Sequence, residues 1–222
     1  IINFLRNLFV TQSMPWNVYK NKGSKKRVLI CYIISPFYLK RRSIKHANVI
    51  ESRVIAKEFY DLGYSVDVVD YRSTRKIDYS KYDVIFGFGH PFSNSFKIDI
   101  QIIRICYLTG SSPNFSNEKE AMRIRDIYLH SGKLLSPRRE AYWPWMNVVI
   151  NSEMVVLAGN NNTKNTYEGL NKNIKTVPVP MIPSKLKPNS ILGSGFLWFG
   201  GAGAVHKGLD LVLDASSEIV DE

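Results

Sequence analysis

The segment RVLICYII at 27–34 constrains the fold more than any other stretch of the chain. It is a continuous apolar run rich in branched residues, too short for a buried helix. It lacks the polar alternation of a strand with one wet face. Such a run fits a strand buried on both faces, as in a parallel sheet. Further strands are read at YSVDVVDY (64–71), which alternates less strictly, and at YDVIFGFG (82–89), IRICYLTGSSP (103–113) and SEMVVLAGN (152–160). Between the first two runs, Val49, Ile50, Arg53, Val54, Lys57 and Glu58 fall at helical spacing, and Gly63 stands where a helix stops. Residues 116–131 open on Ser116 with Glu118 and Glu120 close behind, a capped helix start. A short helix is expected in 161–170. NIKTVPVP (173–180) reads as extended, with prolines that forbid a central strand beyond Val177. Strands alternating with helices predict an α/β fold: a Rossmann-like, doubly wound parallel sheet with helices on both faces.

Composition agrees with a folded domain. The 222 residues suffice for one full domain and part of a second, with 45% apolar and 22% charged residues. No apolar stretch approaches the ~20 residues of a membrane span. The two cysteines, Cys31 and Cys106, each lie inside an apolar run and read as buried, reduced thiols of an intracellular protein. Charge is uneven. Residues 1–60 hold 12 basic and 2 acidic side chains, so nearly all of the net +11 sits at one end. With the apolar stretch IINFLRNLFV (1–10), this end suits an anionic lipid surface, consistent with a cytoplasmic protein peripheral to a membrane. The alternative is a solvated basic face.

Residues 11–26 read as a linker behind the basic N-terminal segment, and 27–180 as the first domain. PMIPSKLKPNS (180–190) is the richest linker signal, so a second linker is placed at 181–194. From 195 the pattern restarts with GFLWFGGAGAVHKGLDLVLDASSEI. FLWF (196–199) is expected to be a strand, the glycines a tight turn, and 205–219 a helix. Gly200, Gly201 and Gly203 would let a ligand approach the backbone closely. The free N–H groups at the helix start and the charge of Lys207 suit a diphosphate. The order Lys207-Gly208 does not match a Walker A loop, and Ala204, Val205 and His206 stand where the dinucleotide fingerprint needs its last glycine. A plain tight turn is the competing reading.

FLWFGGAGAVHKGLDLVLDA, following a proline-rich linker and a full α/β domain, resembles the start of the donor-binding domain of the glycosyltransferase family 4 group. HANVIESRVIAKEFYDLGYSVDVVDY and YLTGSSPNFSNEKE resemble the acceptor-side domain of the same enzymes. The resemblance covers about 27–222. It implies the GT-B fold, two facing Rossmann-like domains with a cleft between them. The chain would stop after the first βα unit of the second domain. It also implies sugar transfer from a nucleotide-sugar donor to a carbohydrate or lipid-linked acceptor, with retention and without a metal cofactor. Gly200, Gly201, Gly203 and Lys207 would hold the donor. Two departures stand out. Ala202 occupies the place where the family often has an arginine. The paired glutamates that hold the donor's sugar and ribose would fall beyond Glu222.

His90, directly after a strand in FGFGHPF, would face the crevice at the carboxyl end of a parallel sheet. The resemblance implies that it meets the donor sugar as a catalytic-side contact; a turn-capping histidine is the alternative. His46 and Arg42, in a basic loop with Lys40, Arg41 and Lys45, are candidates for an acidic acceptor or the donor phosphates. Thr109, Gly110 and Ser111 end another strand and are acceptor-side candidates. No histidine or cysteine falls at metal-ligand spacing. Trp143 and Trp145 suit a stacking surface or core packing. Two other classes remain: a non-catalytic truncated relative that acts as an assembly partner, and a nucleic-acid-binding module. The second is disfavoured, since basic residues do not interleave with aromatics and no helix-turn-helix pattern occurs.

Overall fold

The computed structural model describes residues 11–38, 47–138, 140, 144–181, 196–200, 203 and 205–219. Branched apolar runs become strands because adjacent strands satisfy their backbone groups while helices cover both faces. The strands are β1 (Trp16–Tyr19), β2 (Arg27–Tyr32), β3 (Ser65–Asp70), β4 (Val84–Gly87), β5 (Ile103–Leu108), β6 (Met154–Ala158) and β7 (Ile174–Val177). They form one seven-stranded sheet in the order β1-β3-β2-β4-β5-β6-β7. β2 through β7 are mutually parallel, and β1 joins β3 antiparallel at the edge. The fold is α/β and Rossmann-like, as the alternation of runs predicts.

The central strand β2 shows how period two builds two cores. Leu29 and Cys31 point to one face, among Val69, Ile85, Cys106 and Leu157. Val28, Ile30 and Tyr32 point to the other, among Val66, Val68, Phe86 and Tyr107. Helix α1 (Ala47–Asp61) covers the second face through Ala56, Ile55 and Phe59. Helices α2 (Gly89–Asn94) and α4 (Trp145–Asn151) cover the first through Phe92, Trp145, Val148 and Val149. Fully burying each such side chain contributes about 1.5–3 kcal/mol. Between them in sequence runs α3 (Pro113–Ser131), which starts earlier than expected because Pro113 fits the first helical position. Helix α5 (Asn161–Asn165) is capped by Asn160, whose side chain accepts from Thr163 N.

The elements not expected include α2, β1 and α4. β1 lies inside the stretch read as a linker, held by Asn17 Nδ2 donating to Asp67 at 2.8 Å. Helix α4 seats Trp145 in the core, edge-on to Tyr167. Trp145 is therefore packing rather than a stacking surface, while Trp143 lies outside the described residues. One expected strand is absent. Phe196–Gly200 has no regular structure, and Phe196, Leu197 and Phe199 are each about nine-tenths exposed or more, at 98%, 88% and 92%. A strand needs a ladder partner, and this segment finds none among the described residues.

The chain clusters into two compact units, Ile1–Ser112 with Trp143–Ile182, and Pro113–Tyr142 with Pro183–Glu222. The first contains the sheet. In the second, α6 (Leu209–Ile219) meets α3 through Arg123, whose guanidinium clasps both carboxylate oxygens of Asp210. Among the described residues no helix is long and apolar enough to cross a membrane. The apolar stretch 1–10 lies outside the described residues.

Candidate functional site

In an open parallel sheet, ligands bind beyond the carboxyl ends of the strands where the connection order reverses. Here that point falls between β2 and β4. β3 lies on one side of β2, and the chain then crosses to β4 on the other. The residues after β4 are Phe88, Gly89 and His90. The glycines in FGFG are dictated by close backbone approach. Gly87 has φ +128° and Gly89 φ +85°; a Cβ on either would overlap a carbonyl oxygen, of Cys31 and Tyr71 respectively. The His90 N–H donates to the same Tyr71 carbonyl at 2.9 Å. This fixes the start of α2 against the end of β3.

His90 lines a cavity of about 510 Å³ at this edge, and its side chain is exposed there. Tyr71 and Arg72 contribute from the end of β3, Phe88 from the end of β4, Lys97 from the turn Ser95–Lys97 and Asn147 from α4. Asp70, almost fully buried, accepts from Arg72 Nε at 3.0 Å. Burial pulls the Arg72 pKa down, but the Asp70 hydrogen bond and charge outweigh it, leaving Arg72 above the ordinary arginine value. The Arg72 guanidinium also lies 5.1 Å from the Tyr71 ring centroid. Ser93, in the same wall, has a solvent-shielded hydroxyl with no hydrogen-bond partner among the described residues.

The wall that carries Lys97 is pinned by Arg104. Its guanidinium donates to the carbonyls of Ser95 at 2.9 Å, Ile102 at 3.2 Å, and Ile98 and Ile100 at 3.4 Å. It also lies 5.0 Å from the Phe96 ring centroid. One side chain thus collects the turns of residues 95–102.

Thr109, Gly110 and Ser111 follow β5, one strand over at the same sheet edge. They do not line the His90 cavity. Their loop is tied from within: Tyr167 Oη donates to Gly110 O at 2.9 Å, and Ser112 N donates to Thr166 Oγ1 at 2.9 Å. Thr109 and Gly110 remain exposed. His46 and Arg42 lie outside the described residues, as does Gly201.

The glycine turn belongs to the second unit. Gly203 has φ +94° and Gly208 φ +72°, left-handed conformations that favour glycine. Val205–Lys207 is a short 3-10 turn, and α6 begins only at Leu209, so Lys207 precedes the helix. Lys207 is exposed, and its carbonyl accepts from Trp198 Nε1 at 3.0 Å. Gly200 packs against the Trp198 ring. The first turn of α6 already carries Asp210, paired with Arg123. The positive end of this helix is therefore partly met by the chain's own carboxylate.

A second polar cluster went unseen in the sequence. Glu51, on α1 and only 9% exposed, accepts from Tyr32 Oη at 2.6 Å and from Tyr107 Oη. Burial first, then the Glu51 hydrogen bond and charge, push both phenols well above the ordinary tyrosine value. Both hydroxyls therefore stay protonated and donate, and the cluster ties α1 to β2 and β5. Nothing in local spacing reveals it, because the three residues come from distant elements. Cys31 and Cys106 are buried, as expected, and burial pushes the Cys106 thiol up to about 12. Among the described residues no group of His, Cys, Asp and Glu could hold a metal ion. No protein-family model, curated protein or solved structure matches the chain.

Proposed function

We propose that the chain is a glycosyltransferase of the two-domain GT-B type, or part of one, moving a sugar from a nucleotide-sugar donor to an acceptor with retention and without a metal. The observation that supports this best is the position of His90. It stands at the carboxyl edge of a Rossmann-like sheet, at the reversal of strand order, in a cavity walled by aromatic and cationic side chains. Aromatic faces pack against the C–H faces of a sugar, and His90 can donate or accept a hydrogen bond at a ring hydroxyl. In this reading, His90 contacts the sugar being transferred. Lys207 and the backbone N–H groups of the glycine turn meet the negative charge that grows on the departing diphosphate. Thr109, Gly110 and Ser111 flank the acceptor side.

The test is calorimetric titration of the 222-residue chain with UDP-, GDP- and ADP-glucose, alongside Lys207→Ala. One of the three is expected to bind, and the variant to bind it about tenfold more weakly, the effect of losing one charge-assisted contact. Absence of binding by all three, or equal binding by the variant, overturns the assignment of the turn.

A second reading, a non-catalytic assembly partner, has one observation in its favour. Phe196, Leu197, Phe199, Leu211 and Leu213 in the second unit are all more than half exposed. Apolar side chains so arranged suit burial against another protein.

A further inference from the structure

We infer that the cavity beside His90 is a binding site for an anionic sugar, one bearing a phosphate or a carboxylate. The inference stands on the cavity itself. It holds whether or not the proposed transfer reaction does.

The cavity of about 510 Å³ is large enough for a monosaccharide with a charged substituent. Three kinds of group converge on it, each fitted to one part of such a ligand. Tyr71, Phe88 and Phe96 supply aromatic surface, which suits the C–H face of a pyranose ring. Asn94 and Asn147 bring amides, which both donate and accept and so suit sugar hydroxyls. Arg72 and Lys97 bring two cations, and among the described residues no Asp or Glu is in the wall. Asp70 is the carboxylate nearest in the bonding pattern; it is 1% exposed and turned to Arg72 Nε. That hydrogen bond orients the guanidinium, while Lys97 is exposed.

The site is also built rather than accidental. Arg104 gathers the backbone that presents Phe96 and Lys97. The Gly89 turn and the His90 N–H bond lock the opposite wall to Tyr71. Fixed walls reduce the ordering that binding must otherwise impose on the protein. A neutral sugar would use the rings and amides but leave Lys97 without a counter-charge, since of the two cations only Arg72 has one, in Asp70. Free phosphate would use the cations but not the rings. Only a ligand with both parts uses the whole surface.

The experiment is calorimetric titration of the full chain with glucose 1-phosphate, glucuronate, glucose and inorganic phosphate at matched ionic strength. Lys97→Gln is measured beside the wild type, since Lys97 is exposed and its loss leaves the core untouched. At least one anionic sugar is expected to bind tenfold or more tighter than either glucose or inorganic phosphate. Lys97→Gln is expected to lower that affinity about tenfold while leaving glucose unchanged. A preference for glucose 1-phosphate identifies a phosphosugar, and one for glucuronate a uronic acid. Binding of glucose as tight as that of its anionic counterparts, binding of phosphate alone, no binding at all, or indifference to Lys97→Gln overturns the inference. The nucleotide-sugar titration fails or succeeds separately through Lys207. Loss of that result with retention of this one removes the assignment of the glycine turn and keeps the cavity.

Discussion

At Gly89 the backbone leaves no space for a side chain. The residue sits at φ +85°, and a Cβ would overlap the Tyr71 carbonyl oxygen. That oxygen also accepts from His90 N, so a single contact sets both the turn and the histidine. Gly89→Ala is expected to destabilise the chain by about 2 kcal/mol or more, from backbone strain plus displacement of the β3 end. A urea unfolding curve reads this directly, and an unchanged midpoint would show that the turn tolerates the side chain. The position of His90 was legible in the sequence, because a polar residue just after a buried strand points to the ligand edge of the sheet. Its companions were not. Tyr71, Arg72, Lys97 and Asn147 come from the ends of different elements, and only the tertiary fold brings them to one wall. The same holds for Glu51 with Tyr32 and Tyr107.

Among elements, the irregular stretch 95–102 depends on a single donor on β5. Arg104 serves four carbonyls, and its loss would leave them inside a partly buried turn without that partner. Arg104→Met keeps much of the stem's packing but removes the donors. It is expected to speed amide hydrogen exchange across 95–102 at least tenfold while β2 and β3 keep their protection. Uniform exchange in both proteins would mean that the turn holds itself. Strand recognition from sequence worked best where burial is two-sided, because a continuous branched run has few other uses. It failed in two instructive places. β1 is four residues, Trp16–Tyr19, with too little pattern to separate it from a linker. FLWF has the right residues, yet strand formation is decided by a neighbour that local sequence does not contain. At Lys207, the local pattern correctly placed a helix after a glycine turn but set its start too early, since a 3-10 turn intervenes.

Across the whole molecule, burial sets the response to alkali. Cys106 is raised from 9.0 to about 12, and Cys31, Tyr32, Tyr79, Tyr82, Tyr107 and Tyr167 are all raised as well, each chiefly by burial. Unfolding returns these groups to ordinary values, so above those values the unfolded chain binds fewer protons than the folded one. Stability is therefore complete below about pH 8.5 and falls as pH rises towards the folded values. Absorbance at 295 nm and circular dichroism followed together from pH 8 to 12 are expected to show these five tyrosines ionising only as structure is lost. Ionisation of all twelve tyrosines near pH 10 with the spectrum intact would contradict the burial. The strand order has a further consequence, for how copies of the chain tolerate crowding. Both flanks of the sheet are poor templates for another chain. β7 is four residues long, carries Lys175 and runs into Pro178 and Pro180. β1 is equally short, and its register breaks between Asn17 and Tyr19. Beneath β1, however, lies β3, six residues buried throughout. The four residues of β1 are thus a guard strand: peeled away, they would bare the unpaired backbone edge of β3, of the kind that invites edge-to-edge pairing.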